Sequence, residues 1–466
     1  GRIRCREHPT KITETNKYTL TKYPLNSRPI LNKLIFEEYN SVVGRLFNVQ
    51  NIQKEKINIR FETLGVANTY FVHDWKNKSQ VYNNSINLIG VDPFETANWI
   101  NMHKNRYKVN TEVLQLLESE LINNPISTIN VHVKLESLLK EKPIINFRQQ
   151  QARIIVWQRY AVAAIFSPVF KKAKERIKCL LRERIMYTDG LTPDEMNNYL
   201  LTCGTTKLLY ENDLTKQDRQ TTHEIIDIEM SLYSIVGVHP DIIRCWRNIH
   251  NDWNFKGKYS RGTLDAMRLS GQATTAVGNF ITNLIVHWRF VNKNVQSLTF
   301  ALFLGDDSIF GFDRNVDTSR LRKDIAAKFN MQSKNTVNPN VGVFCQFLVF
   351  LNNGTPTMCP NYNRLRNRYE VTNGVSDANY ENLRARTMSY LMTLGDIDIS
   401  RRVNSALNMG LKLPNWYDSN AAVTANMIYN KMDVFNVLNE LSLLESMMLR
   451  GDVFEHSFTH YTSRIM

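Results

Sequence analysis

Apolar and polar positions change rhythm partway along the chain. In "SRPILNKLIFEEYNSVVGRLF" apolar residues fall at 30, 31, 34, 35, 42, 43, 46 and 47, the three-and-four spacing of an amphipathic helix with Pro29 near its start. "NTEVLQLLESELI" predicts a second helix. In "SPVFKKAKERIKCLLRER" Ser167 can cap and Pro168 suits the first helical position. A helix is expected from there, with Val169, Ile177 and Leu180 on its apolar face and a basic outer face. "LTPDEM" has the pattern of a capping box, with Thr192 as cap, Pro193 first and Glu195 third. From about residue 206 the texture shifts to short apolar stretches, "TKLLYEND", "LTFALFLGDD" and "VFCQFLVFLNN", which read as strands between helical patterns. One of those helices is "TTHEIIDIEMSLYSIVG", with Ile225, Ile228, Leu232 and Ile235 on one face and Gly237 and Pro240 marking its end. "FKGKYS" is a hairpin-like turn. Beyond residue 355 the strand signals fade, and "NAAVTANMIYNKMDVFNVLNELSLLESMMLRG" reads as helical, its Met stripe as core. The pattern as a whole predicts an α+β protein.

Composition narrows the class. A chain of 466 residues, 43% of them hydrophobic and 10% aromatic, can bury a sizeable core as two to four domains or one multi-lobed unit. The excess of 58 Lys and Arg over 44 Asp and Glu gives a net charge of +14, which favours a polyanion such as nucleic acid as partner. The six cysteines (Cys5, Cys179, Cys203, Cys245, Cys345 and Cys359) have no C-x-x-C or Cys/His ligand spacing, so a disulfide framework and a zinc site are poor readings and a reducing compartment fits best. No apolar run approaches the roughly 18 residues that a membrane span needs. The chain begins with Gly rather than Met, as a piece of something longer would. It contains no G-x-x-x-x-G-K-[ST] phosphate loop, so a nucleotide-hydrolysing module would lie elsewhere.

Two acids then stand out. In "FLGDDSIF" Asp306 and Asp307 sit inside an apolar run, where a carboxylate loses its water and needs a partner. Gly305 allows a tight turn at which both acids approach one site, and two adjacent anions ask for a hard cation such as magnesium. An ordinary exposed turn is the competing reading, because Gly-Asp-Asp arises by chance in about one chain of this length in ten. A metal site would need a further carboxylate at a strand end. "LLYENDLTKQDRQTTHE" offers Asp213 after an apolar strand and Asp218 five residues later, the latter equally explicable as charge at a helix N-terminus. Two metals sharing Asp213, Asp306 and Asp307 could clamp an in-line phosphoryl transfer. Between these acids, "RLSGQATTAVGNFITNLIV" places Thr275 and Asn279 four apart on one helix face, where a hydroxyl and an amide could read a ribose 2'-OH. A small-residue helix packed closely on a sheet explains Gly271, Ala273 and Gly278 as well.

The order D-x4-D, S-G-x3-T-x3-N, G-D-D resembles motifs A, B and C of viral RNA-dependent RNA polymerases. The wording "DLTKQDRQT", "SGQATTAVGN", "LGDDS" and "GVFCQFLV" is similar to the alphavirus-like supergroup, with a kitavirus- and negevirus-like branch the nearest within it. This resemblance covers residues 140 to 355 by motif and implies a right-hand polymerase. Its expected layout is an N-terminal segment with fingers over 1–204, palm over 205–224, a fingers or palm insertion over 225–266, palm over 267–355 and a helical thumb over 356–466. It further implies that Asp213 and Asp306 bind two Mg2+ ions, for which Mn2+ can substitute, with Asp307 beside them. Asp218 and Asn279 would sense the ribose. Ser270, Gly271 and Thr275 would hold template and incoming nucleotide. One departure is Phe280, where the family often has Thr, which touches sugar selection.

Upstream, "EKPIINFRQQQARIIVWQRY" resembles motif F, with Lys142, Arg148, Arg153 and Arg159 as candidates for phosphate and RNA, although a charge run is usually a solvated face. Downstream, "AAKFNMQSKNTVNPN" resembles motif D, in which Lys334 rather than Lys328 would protonate the pyrophosphate, a surface lysine being the alternative. "VGVFCQFLV" resembles motif E, the primer-grip hairpin. Gly305, Phe344 and Cys345 are assigned to the RNA side of the site, and Cys345 also suits a buried packing position. The activity implied is template-directed RNA synthesis from nucleoside triphosphates, with RNA template and nascent RNA as partners and capping and helicase modules of a viral replicase as companions. Its setting would be host cytoplasm, including membrane-associated replication complexes. A reverse transcriptase and a non-catalytic RNA-binding subunit are the rival readings.

Overall fold

The computed structural model describes residues 2–5, 35–103, 107–111, 113, 126–134, 153–265, 267–345 and 347–360. Lys142, Arg148, most of "NTEVLQLLESELI" and everything expected of a thumb beyond 360 lie outside these residues. In chain order the strands are β1 (Arg2–Cys5), β2 (Thr128–Val133), β3 (Ile154–Gln158), β4 (Ile185–Tyr187), β5 (Leu208–Thr215), β6 (Trp253–Lys256), β7 (Ser260–Leu264), β8 (Leu298–Leu304), β9 (Asp307–Phe312), β10 (Gln332–Asn338), β11 (Val341–Phe344), β12 (Phe347–Asn352) and β13 (Thr355–Pro360). They form three sheets, ordered β1-β7-β6-β2-β3, β10-β5-β9-β8-β4 and β11-β12-β13. The first two are mixed, because β2 runs parallel to β6 and β4 parallel to β8. With the helices this is an α+β protein, as the pattern predicts. Strand β4, from the stretch assigned to the fingers, completes the central sheet.

The central sheet is the middle of three layers. On one face lie the helices Thr275–Lys293, Ile59–Tyr70 and His223–Ile235, sharing one apolar cluster with Tyr210, Phe303, Phe310 and Phe312 of the sheet. On the other face Leu209, Phe300, Leu302 and Ile309 pack against Phe344, Val349, Leu351 and Met358 of the small sheet, together with Met196 and Leu200. A strand covered on both faces reads as a continuous apolar run, which is why "LTFALFL" lacks alternation. A bulge between Leu298 and Phe300 resets the register and turns the following side chains to their proper faces.

Several local expectations agree with the structure. Thr192 and Glu195 form the reciprocal capping box of the helix Pro193–Thr202. The helix His223–Ile235 buries Ile225, Ile228 and Leu232, and Gly237 follows it at φ +83°, while Pro240 opens the next helix, Pro240–Ile249. The first helix is ordered as Ile35–Val42 with a π turn over Val43–Phe47.

Two expectations are corrected. Pro168 does not start a helix but sits inside one, Tyr160–Leu180. Burial of Ala161, Val162, Ala164 and Phe166 upstream, continuous with Val169, Phe170, Ala173 and Ile177 downstream, outweighs the lost hydrogen bond, about 3 kcal/mol at a helix interior. Strand signals do not end at 355 either. Thr355–Pro360 is a strand, and its two prolines are tolerated because β13 lies at the edge of its sheet. The amide of Asn197 bridges both backbone groups of Met358, at 3.2 and 2.8 Å.

Candidate active site

The two acids of "FLGDDSIF" sit at the end of a two-residue hairpin. Leu304 and Asp307 are paired across β8 and β9, leaving Gly305 and Asp306 as the turn. Gly305 has φ +58°, a left-handed backbone that favours glycine at this turn. Asp213 of β5 stands directly opposite Asp307 in the antiparallel register, so the two side chains share a face of the sheet. Lys334 of β10 is in turn directly opposite Asp213 and exposed. Lys328 pairs with Glu55 instead, so of the two candidate lysines only Lys334 belongs to this cluster.

Electrostatics follow from this crowding. Asp306 is raised to about 6, first by loss of hydration and then by Asp307, Asp218 and Asp213. The residue itself stays exposed at the hairpin tip. Glu211, two residues before Asp213 on the same face, is also raised, first by burial, although it accepts hydrogen bonds from the Val343 N–H and Thr336. Sequence reasoning missed this acid, which ties the small sheet to the central one. The Cys345 thiol is held up by burial and by Asp307 and Asp306. Cys345 occupies the β11–β12 turn at φ +47°, its Sγ 3.9 Å from the Leu304 carbonyl and hydrogen-bonded to Asp307. Phe344, expected on the RNA side, has its ring 1% exposed and packs between the two sheets.

Among the described residues no group of three or more His, Cys, Asp or Glu is arranged so that it could hold a metal ion. The donor set nevertheless fits a hard cation. Magnesium is usually held by one or two carboxylates and completes its octahedron with water and substrate phosphate. Asp213, Asp306 and Asp307 supply such oxygens at a sheet end, and the raised Asp306 reflects first lost hydration and then repulsion by its acidic neighbours, which a cation would relieve.

Beside the acids, Asn279 donates from Nδ2 to Asp218 Oδ1 at 2.9 Å. Asn279 is 8% exposed and its Oδ1 has no protein partner. Burial raises Asp218, and Asn279 and Arg268 counteract it. Thr275, four residues before Asn279, does not present its hydroxyl outward: Oγ1 donates to the Leu269 carbonyl and accepts from the Gln272 N–H at 2.9 Å. It therefore acts by closing the loop. Ser270 accepts from the Val156 N–H at 2.9 Å, and Gly271 bridges Trp157, so this loop is docked on β3. A Cβ at Gly271 would lie 2.9 Å from the Val156 carbonyl, the reason glycine is needed there. Phe280 is fully buried, stacked on Tyr187 at 4.2 Å and edge-on to Phe303, so this departure from the family pattern is turned into the core. Arg153 is exposed at the start of β3, and Arg159 is half-buried just before the helix Tyr160–Leu180.

Below Asn279 the same helix carries two further buried polar residues at intervals of four. Asn283 donates to the Gly305 carbonyl at 2.7 Å. His287 donates from Nδ1 to the Asn283 carbonyl at 2.8 Å, and its Nε2 lies 2.6 Å from the Asn212 amide. Burial lowers His287 to about 4, so the ring is neutral, and the carbonyl on Nδ1 fixes Nε2 as acceptor. The spacing "NFITNLIVH" was visible in sequence, but its burial was not.

Open carboxylates at a sheet end with an amide–carboxylate pair alongside define a site suited to metal-assisted phosphoryl transfer on a nucleotide. A sequence model of the family described as RNA dependent RNA polymerase matches residues 52–414, and the chain belongs to that family. It is 26% identical to the replicase polyprotein 1ab of Beet yellows virus (isolate Ukraine) over 244 residues, 50% of this chain and 8% of that protein. It is 27% identical to the replicase large subunit of Sunn-hemp mosaic virus over 168 residues, 35% of this chain and 10% of that protein. It is 24% identical to the RNA replication polyprotein of Blueberry scorch virus over 198 residues, 42% of this chain and 10% of that protein. The chain spans about a tenth of the length of these curated relatives.

Proposed function

We propose that this chain is the catalytic polymerase of a positive-strand RNA virus, adding ribonucleotides to the 3'-hydroxyl of a growing RNA on an RNA template. The observation that carries this is the register of Asp213 opposite Asp307, with Asp306 on the adjoining turn and the Asn279–Asp218 hydrogen bond beside them. Two Mg2+ ions held by Asp213 and Asp306, with Asp307 beside them, would supply a more nucleophilic 3'-oxygen and neutralise charge on the triphosphate.

The chain's own residues do the rest. Asp218 orients the Asn279 amide, leaving its unpartnered oxygen to accept from a ribose hydroxyl. Arg153 and Arg159, which flank the strand β3 on which the Ser270–Gly271 loop docks, suit the triphosphate, and Lys334, across from Asp213, donates a proton to the departing pyrophosphate. Most of the rate enhancement then comes from positioning and electrostatics.

In a right-hand layout the central sheet is the palm and the β1-β7-β6-β2-β3 sheet belongs to the fingers, while the thumb expected over 356–466 lies almost wholly outside the described residues. Capping and helicase modules of the same replicase are the expected companions, in the host cytoplasm at membrane-associated replication complexes, and the motif wording supports a kitavirus- or negevirus-like origin.

Primer extension on a defined RNA with Mg2+ tests the reading. The wild-type protein should incorporate ribonucleotides in preference to deoxyribonucleotides, and Asp213→Ala or Asp306→Ala should lower incorporation at least about 100-fold while RNA binding persists. Undiminished synthesis by either folded variant would sink the site assignment, and a preference for deoxyribonucleotides would favour a reverse transcriptase.

A further inference from the structure

The helix Thr275–Lys293 is buried along most of its length, yet three polar residues on one of its faces each reach a different part of the acid-bearing sheet. Asn279 bonds Asp218, which follows β5. Asn283 bonds the carbonyl of Gly305, the residue before Asp306 in the turn. His287 meets Asn212, whose side chain points to the helix while that of its neighbour Asp213 points to the opposite face. The His287–Asn283 carbonyl bond joins the last two contacts. Asn283 and His287 are fully buried and Asn212 is 2% exposed, while Gly305 at the turn is half-buried. The orientation of the Asn283 amide is fixed by its partner, because the reverse orientation would set oxygen against the Gly305 carbonyl.

We propose that Asn283 and His287 are positioning residues of the polymerase site. They hold the Gly305–Asp306 turn and the Asp213 strand at one fixed height relative to the helix that carries the ribose reader Asn279. Neither touches substrate. The turn has only two residues and its glycine meets no atom within 4 Å of where a Cβ would stand, so the Asn283 bond to its carbonyl is a principal restraint from the helix side. Without that bond, Asp306 can ride away from Asp213 although the sheet below is intact. A misplacement of about 1 Å at such a site costs up to about 100-fold in rate.

The inference rests on the polymerase reading above, so the experiment begins with wild-type activity in primer extension. Four variants are compared with it: Asn283→Ala, His287→Ala, His287→Gln, whose amide can still accept from Asn212, and Thr282→Val as a packing control on the same buried helix. Asn283→Ala should lower kcat about tenfold, leave KM for nucleotide within about twofold, and raise the Mg2+ concentration for half-maximal activity at least about threefold. His287→Gln should retain most of what His287→Ala loses. Thr282→Val should shift the thermal midpoint and leave the Mg2+ requirement unchanged. If folded Asn283→Ala has wild-type kcat and Mg2+ dependence, or if all losses simply follow the thermal midpoint as in the control, the proposal is overturned. If Asn283→Ala does not fold, the His287 pair decides by the same readout. An inactive wild type would instead strike at the polymerase reading itself.

Discussion

Asp306 and Asp307 are neighbours in sequence with different environments. Asp307 begins a strand, faces Asp213 and receives the Cys345 thiol, whereas Asp306 lies on the turn and carries the repulsion of its neighbours. Because its folded value of about 6 exceeds the ordinary 3.8, the fold binds this proton more tightly than the unfolded chain does. Its contribution to stability is therefore present at low pH and declines as pH rises from 3.8 through about 6. Asp306→Asn should raise the thermal midpoint by about 2 °C at pH 7.5 in chelator, a small shift because water screens an exposed carboxylate. Added Mg2+ should stabilise the wild type and not the variant. Differential scanning fluorimetry reads both, and an unchanged or lower midpoint in the variant would contradict the account. Asp213 and Asp306 were legible in sequence because acids in apolar strands demand a reason. Asn283 and His287 were not, since a polar residue on a helix ordinarily marks its solvent face and only tertiary packing hides it.

At the scale of elements, close packing explains where local rules gave way. The helix Thr275–Lys293 passes the buried Arg268–Glu229 ion pair so closely that a Cβ at Gly278 would lie 1.9 Å from the Arg268 guanidinium. Arg268 also donates its backbone N–H to the carbonyl of Asp218, at 2.9 Å, so this pair braces the residue that orients Asn279. Gly278→Ala should destabilise the protein by about 3 kcal/mol in urea unfolding, because separating a buried ion pair leaves uncompensated charge. A cost below about 1 kcal/mol would mean that the guanidinium can move aside. The glycine of this helix thus serves close packing, while Asn279 of the same helix holds Asp218. The capping box at Thr192 and the short apolar runs of the strands were legible because they are local. Pro168 within a helix and the proline-bearing strand β13 were not, because burial on one side and an edge position on the other decide them.

Across the whole molecule, the site is assembled from stretches far apart in sequence. Asp213, Asn279, Asp306 and Lys334 come together because β5 lies between β9 and β10 while one helix spans the face behind them. Sequence order carried the resemblance to a polymerase, and the pairing of Lys334 with Asp213 required the sheet. That sheet is also ordered in time. Strand β9 is hydrogen-bonded on both sides at its centre, whereas β10 ends the sheet among the described residues. Backbone amides at the free edge open by local fluctuation, while those at the centre wait for larger unfolding. Hydrogen exchange followed by mass spectrometry should therefore give the longest lifetimes in β9 and shorter ones in β10, and equal protection would contradict this order. The strand that bears Lys334 then loosens before the strand that Asp307 opens, so Lys334 can shift on a faster clock than Asp307 keeps.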